Sequence, residues 1–309
     1  MSTSEFDYDI IIAGGGPAGL AAAIYATRAR RKTLLLDAMA PGGQMIISHM
    51  IENYPAFPKG IPGPELSKLM EDHARAFDTE IRIENVQTIA LENRKRIVTT
   101  SERSYSCGAV IICSGASPRK LNVPGEKELT GKGVSYCGTC DGMFFRGKEI
   151  VVAGGGDAAI DESLFLTKFV TKLTVIHRRD QLRAEKILQE RAFANSKISF
   201  LWDTIVTKIL GSDSVTGVSV KNVKTEEERE LSTEGIFIFI GHIPNTEFVK
   251  GLVEMNDLGF IATDHRMATS VPGIFAAGDV RQQTIRQIVT AAGEGATAAY
   301  YADKYLSEL

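Results

Sequence analysis

Two of the chain's four cysteines stand three residues apart, as Cys137-Gly-Thr-Cys140, and Asp141 follows directly. Such a pair serves as half of a metal hook, as buried packing, or as a dithiol that closes and reopens a small ring. A zinc site needs about four ligands. Here no second pair and no closely spaced histidines complete one, so no metal is expected. A scaffold stapled by disulfides is not expected either, in a chain of 309 residues with cysteines this few. Redox chemistry is the reading to pursue, with thiolate character raised by local helix ends and charges. Cys107 and Cys113 flank an apolar strand and read as inert core thiols.

The elements around the pair repeat one design. Tyr8-Asp-Ile-Ile-Ile-Ala runs into Gly14-Gly-Gly16-Pro17-Ala18-Gly19, an alanine-rich helix and a second apolar strand, Thr33-Leu-Leu-Leu-Asp37. This is a strand–turn–helix–strand unit carrying G-x-G-x-x-G, with an acid at the second strand's tip. The pattern returns at an offset of 140 residues: Glu149-Ile-Val-Val-Ala-Gly154-Gly-Gly156-Asp157-Ala158-Ala159, a helix, then Lys172-Leu-Thr-Val-Ile-His177-Arg178-Arg179. In each copy the glycines let the backbone approach a pyrophosphate seated on the helix's positive end. Asp37 suits the free ribose hydroxyl of an adenosine, as in FAD. The second copy has no acid at that tip but has Arg178, Arg179 and Arg183, which suit the 2′-phosphate of NADPH; a solvated helix face is the alternative for these arginines.

Two apolar strands, Ala109–Cys113 and Ile236–Ile240, break at Gly and Pro in the same manner. They mark chain crossings near Pro118 and Pro244. The expected architecture is α/β, with two Rossmann-like FAD/NAD(P)-binding domains of three-layer ββα character. Residues 1–117 and 246–309 form the FAD domain, and residues 118–245 form the inserted NADPH domain carrying the cysteine pair. Gly273-Ile-Phe-Ala-Ala-Gly278-Asp279 is a short strand ending in an acid, which suits a flavin ribitol or a plain Asx turn. Because Cys140 lies 14 residues before Gly154, the pair and the nicotinamide share one domain while the flavin sits on the other. Both must reach the same ring, so a rotation about the two crossings is expected.

Bulk composition sets the surroundings. Hydrophobic residues make up 44% and charged residues 24% of the chain, the balance of a soluble globular protein. A formal charge of −3 gives no reason to expect nucleic-acid or anionic-membrane binding. No apolar run approaches a membrane span, and the first residues lack the basic-then-apolar pattern of a secretion signal, so a cytoplasmic location is expected. The Lys224-Thr-Glu-Glu-Glu-Arg-Glu run reads as a solvated hairpin tip, and Trp202 as packing. His49, His73 and His265 show no partner pattern.

Along nearly its full length the chain resembles the low-molecular-weight bacterial thioredoxin reductases. The resemblance rests on Gly14–Gly19, Gly42-Gly43-Gln44, Glu52-Asn53-Tyr54-Pro55, Ser114-Gly115-Ala116-Ser117 and Cys137-Gly-Thr-Cys140-Asp141-Gly142. It continues through Gly154-Gly-Gly-Asp157, His177–Lys186, Gly241-His-Ile-Pro-Asn245, Gly278-Asp279 and Arg286-Gln287. It implies FAD and NADPH as cofactors, thioredoxin or a thioredoxin-like protein as partner, and a homodimer. It places Gly43, Gln44, Asn53, Gly115, Arg286 and Gln287 at the flavin, and Asp157, Ala158 and His177 at NADPH. It further implies that Cys140 faces the flavin, that Cys137 attacks the partner's disulfide, and that Asp141 is the general acid; a helix N-cap is the alternative for Asp141. Lys132, Met143 and Phe144 match a partner-docking region, though an apolar turn accounts equally for the last two. Ala158 stands where many relatives have Ser, Asp157 where some have Asn, and Met143 where Phe is frequent; none of these removes a reacting atom.

Overall fold

The computed structural model describes residues 6–48, 50–283 and 285–309. They fall into two compact units, one running up to Ser117 and resuming at Ile243–Leu309, the other Pro118–His242. The sequence had placed the return at residue 246; the chain rejoins the first unit three residues earlier. The reason is local. The Asn245 N–H donates to Gly115 O at 3.0 Å, its Nδ2 donates to Ser114 O at 2.8 Å, and its carbonyl accepts from Ser114 Oγ at 2.7 Å.

The first unit is built on β1 (Tyr8–Ala13), α1 (Pro17–Arg28), β2 (Thr33–Asp37), α2 (Gly63–Arg75), β3 (Glu80–Ile83), β4 (Val86–Glu92), β5 (Lys95–Thr100) and β6 (Ser104–Ile112). The sheet order is β3-β2-β1-β6-β5-β4. The β1, β2, β3 and β6 pairings are parallel, and β4–β5–β6 is an antiparallel meander. Both faces of β1 are covered, which explains its unbroken apolar run. Ile10 and Ile12 enter a core with α1 residues Leu20 and Ala23, and Ile11 faces a second core with Ile89 and Val98 of the meander. Meander, parallel sheet and helices make the expected three layers. The chain leaves through β7 (Ala116–Pro118).

The second unit repeats the plan. It contains β8 (Val134–Ser135), α3 (Gly138–Asp141), β9 (Glu149–Gly154), α4 (Asp157–Leu166), β10 (Lys172–Ile176), α5 (Lys186–Ala194), β11 (Ile198–Leu201), β12 (Thr204–Gly211), β13 (Val215–Asn222), β14 (Glu228–Ser232) and β15 (Ile236–Phe239). A parallel sheet, β11-β10-β9-β15-β8, carries α4 and α5 on one face through Ile160, Leu166 and Ala192. The other face receives the β12-β13-β14 meander through Val206, Ile209 and Val218. Trp202 stacks on Phe200 with ring centroids 5.0 Å apart, which is packing as read. The charged run does cap a β13–β14 turn, but Lys224 is not merely solvated: it pairs with Asp203 at 3.0 Å and Asp180 at 3.2 Å.

The chain returns through β16 (His242–Pro244), which pairs with β7, and ends in β17 (Ile274–Ala276) and α6 (Ile288–Ser307). β17 joins the parallel part of the first sheet beside β6, and α6 packs against α1. Among the described residues no helix is long and apolar enough to cross a membrane. His49 lies outside the described residues.

Candidate active site

Cys137 and Cys140 form a disulfide, with their Cα atoms 5.3 Å apart. The four-residue helix α3 makes this possible. Cys137 is its N-cap in an extended conformation, and one turn brings Cys140 back over it. The Cys140 N–H points at Cys137 Sγ from 3.2 Å. That donor supports negative charge on this sulfur once the ring opens. Both cysteines are partly exposed, whereas Cys107 and Cys113 are buried. Burial pushes the Cys107 thiol up to about 12 and the Cys113 thiol higher, so neither ionises near neutrality.

Asp141 ends α3 and also stands at the N-cap position of the short 3-10 turn Gly142–Phe145, so a helix-start position and a role as acid can coexist at this residue. Its carboxylate accepts a 2.6 Å hydrogen bond from Ser135 Oγ. The same hydroxyl accepts the Cys137 N–H at 3.1 Å. Ser135 is buried at the end of β8 and therefore ties the acid and the first cysteine to the parallel sheet. Behind it, buried Glu126 accepts from the Tyr136 hydroxyl at 2.8 Å and from the Leu121 and Asn122 N–H groups at 2.9 and 2.7 Å. Sequence reading missed Ser135 and Glu126. The Ser-x-Cys spacing was the visible signal for the first, and nothing local signalled the second. Met143 and Phe144, on the next turn, are exposed.

On the second unit, α4 starts at the glycine turn with Gly156 as its N-cap and no side chain capping it. A β-carbon at Gly156 would have Arg183 Nη2, at 4.0 Å, as its near neighbour, so space is left open beside a guanidinium. Gly154 is different: a β-carbon there would lie 2.6 Å from Phe239 O, so this glycine serves packing. Arg178, Arg179 and Arg183 are exposed and form no ion pair with a carboxylate among the described residues. His177 is buried against Gly155, and its Nε2 has no hydrogen-bond partner. Burial and then the Arg183 charge hold its pKa below the usual histidine value. Asp157 Oδ1 accepts the Glu185 N–H at 2.7 Å, and Ala158 is exposed on the first turn.

On the first unit, Gly14 and Gly19 are fixed by packing. Gly14 has φ 111°, and its β-carbon would meet Cys113 O at 2.3 Å; that of Gly19 would meet Gly14 O at 1.8 Å. Gly16 has nothing within 4 Å and caps α1 without a side-chain bond. Gly43 is brought against it, its β-carbon position 3.2 Å from Gly16 Cα, on the turn that also carries exposed Gln44. Asp37 accepts the Gly15 N–H at 2.5 Å and the Met39 N–H at 2.9 Å. Burial raises its pKa, and these two donors oppose the rise. Gly115 has open space around it, and Asn53 Nδ2 donates to Gln287 Oε1 at 2.9 Å.

Asp279, after β17, is not an Asx turn; Gln283 Nε2 donates to its carboxylate at 2.8 Å. Burial pushes it up to about 6, against the pull of the Arg286 charge. Arg286 Nε is itself buried without a partner. Gly278 is held by a group that sequence reading missed, Glu294, which accepts its N–H at 2.8 Å and the Arg281 guanidinium at 2.5 Å. Open space at the Gly16 helix N-terminus, the orphaned buried Arg286 Nε and the acid Asp37 at the tip of β2 fit a flavin dinucleotide on this unit. The corresponding opening at Gly156, with its arginines, fits a phosphorylated nicotinamide dinucleotide on the other.

Comparison with known proteins agrees with this geometry. The pyridine nucleotide-disulphide oxidoreductase profile matches residues 8–295. The thioredoxin reductase of Bacillus subtilis (strain 168) is 47% identical over 308 residues, 99% of this chain and 97% of its own. The chain belongs to the pyridine nucleotide-disulphide oxidoreductases, on the thioredoxin reductase branch. Among solved structures, the thioredoxin reductase of Streptococcus pyogenes MGAS5005 is 47% identical, with 98% of this chain and 99% of that chain covered and a TM-score of 0.92. That of Lactococcus lactis, titled as the FR conformation, is 46% identical, covers 98% and 100%, and has a TM-score of 0.70.

Proposed function

We propose that this protein reduces thioredoxin or a thioredoxin-like protein with electrons from NADPH, using the Cys137–Cys140 disulfide as the exchangeable group. The observation that carries this reading is the disulfide itself: partly exposed, on a one-turn helix, with Asp141 fixed beside it by Ser135. FAD, when bound at Gly16, Asp37 and Asp279, supplies the two-electron relay between the nicotinamide and the disulfide. Asp37 holds the adenosine ribose, Gln287 and Asn53 brace each other at the flavin end, and Arg178, Arg179 and Arg183 select the 2′-phosphate.

Opening the disulfide consumes two electrons and two protons and yields the Cys137 and Cys140 thiols. Cys137 then attacks the partner's disulfide, releasing one partner sulfur. Cys140 resolves the mixed disulfide, restoring the Cys137–Cys140 bond and releasing the second. Asp141, oriented through Oδ2, delivers the proton that a departing thiolate needs.

The pair and the Gly156 opening belong to one compact unit, and Gly16, Asp37 and Asp279 to the other. Groups fixed on one body reach a common target in turn, so the cycle requires the units to rotate about the two crossings. Two solved relatives of near-equal identity superpose with TM-scores of 0.92 and 0.70, which supports a hinge within this family. The resemblance also supports a homodimer and a cytoplasmic setting. A reductase fed by ferredoxin is less well supported, because the open turn at Gly156 and the unpaired arginines have no use in it.

The test is coupled turnover with NADPH and with NADH against candidate thioredoxins. Fast oxidation of NADPH, dependent on oxidised thioredoxin and much slower with NADH, is expected. NADPH oxidation indifferent to thioredoxin would refute the reading.

A further inference from the structure

Helix α4 carries a carboxyl that the reaction above does not use. Glu162 lies beneath the turn between the two cysteines, so close that a β-carbon on Gly138 would meet its Oε2 at 2.2 Å. A side chain at position 138 would therefore have to displace the Glu162 carboxyl. Oε2 is shielded from water and has no hydrogen-bond partner among the described residues. The backbone N–H groups of Thr139 and Gly138, at the turn above it, favour its ionised form. The N–H of Cys140 is directed at Cys137 Sγ instead. The donors at the start of α3 are thus divided between a carboxylate and a sulfur.

We propose that Glu162 is a positioning residue for the redox pair: its carboxylate engages the Gly138 and Thr139 amides and sets how readily Cys137 ionises once the disulfide is open. Without the carboxylate, those amides would add to the field that favours a Cys137 thiolate. With it, they are largely neutralised and a negative charge stands next to the nucleophile.

The balance depends on pH. Burial, and secondarily the Asp161 charge, push Glu162 up to about 7. The charged and titratable groups around it are Asp161 and Asp157 on its own helix, and Cys137, Cys140 and Asp141 on α3, with Asp141 turned to Ser135. The neighbouring α5 carries Lys186, Glu190 and Arg191, and none of them contributes to its titration. Well below pH 7 Glu162 is protonated and Cys137 ionises as though the charge were absent. Well above it, ionised Glu162 opposes the thiolate, so the two groups titrate as a coupled pair. The thiolate fraction of Cys137 then rises with pH more gradually than for an isolated thiol.

This inference rests on the pair being the redox group of the proposed reaction, but its test uses neither NADPH nor thioredoxin. The purified protein with its flavin is reduced by excess dithiothreitol, which is then removed anaerobically. Iodoacetamide labelling of Cys137 is followed by mass spectrometry from pH 5.5 to 9.5. Wild type should give a shallow, two-step profile. Glu162→Gln should give a single steeper step, labelling about 3- to 10-fold faster than wild type between pH 7.5 and 8 and converging with it below pH 6. Glu162→Asp should fall between them, and Asp161→Asn, at an exposed neighbour, should stay within about twofold of wild type. Labelling of buried Cys107 or Cys113 would reveal a misfolded variant. In that event the wild-type profile decides, since a single sharp step there overturns the proposal. Wild-type and Glu162→Gln profiles that coincide within about twofold at every pH would also overturn it.

Discussion

Replacing Arg178 and Arg179 together by alanine should remove most of the preference for NADPH over NADH that the proposed function requires. Both side chains are exposed at the tip of β10 and have no carboxylate partner among the described residues, so removing them leaves no buried charge behind. Asp180, which would compete for them, is engaged by Lys224 at 3.2 Å. A hydrogen bond to a charged group is worth about 1.5–3 kcal/mol, and exposure to salt brings each arginine toward ~1–2 kcal/mol. Two of them give about 2–4 kcal/mol, which is roughly a 30- to 1000-fold loss in kcat/KM for NADPH. NADH has no 2′-phosphate, so its kcat/KM should change by less than about threefold. The assay is steady-state turnover with saturating thioredoxin at two ionic strengths. Wild-type KM for NADPH should rise with salt, and that of the variant should rise less. A parallel loss with both nucleotides would show that the arginines support the fold, and no loss with either would remove them from the site.

Gly14 and Gly16 should separate packing from binding. Gly14→Ala forces a β-carbon to within 2.3 Å of Cys113 O at a positive φ and should prevent stable folding, whereas Gly16→Ala meets nothing within 4 Å. The second variant should keep its melting temperature within about 3 °C while losing most bound flavin, as read by absorbance after gel filtration; equal melting losses in both would contradict this division. Asp279 offers a pH test. Its folded pKa of about 6 stands above the ordinary 3.8, so the folded protein holds a proton that the unfolded chain releases, and stability falls as pH rises from 3.8 to 6. Above that window the ionised carboxylate costs on the order of 2–3 kcal/mol. Asp279→Asn should therefore stabilise flavin-free protein at pH 8, have little effect near pH 3.5, and weaken flavin binding; urea melts at the two pH values that showed equal shifts would refute the linkage.

Much of the fold was legible because the sequence signal and the physical cause coincide. Strands buried on both faces have no choice but an unbroken apolar run, as in Ile10–Ile12 and Ile150–Val152, and a turn against a neighbouring backbone tolerates only glycine. The misjudged boundary, residue 245 rather than 242, has the opposite origin. Proline marked the break, but membership was decided by the hydrogen bonds of Asn245 to Ser114 and Gly115, contacts between residues about 130 positions apart. The same holds for the supporting groups that reading missed. Glu126, Glu162 and Glu294 look like surface charges in the sequence, yet each is turned inward onto a backbone turn, and no local pattern announces this. Asp141 was found as an acid beside the pair, but its anchor, Ser135, became visible only when β8 and α3 were folded together.

The central claim is that electrons from NADPH pass through the Cys137–Cys140 bond on their way to the partner. The direct measurement is an anaerobic count of thiols by alkylation and mass spectrometry. The flavin-loaded protein is treated first with stoichiometric NADPH and then with oxidised thioredoxin. Two new thiols, mapped to Cys137 and Cys140, should appear with NADPH and disappear as two appear on thioredoxin. Cys137→Ser should reduce no thioredoxin at all. Thioredoxin reduced at the wild-type rate by Cys137→Ser, or while the wild-type pair stays closed, would contradict the account.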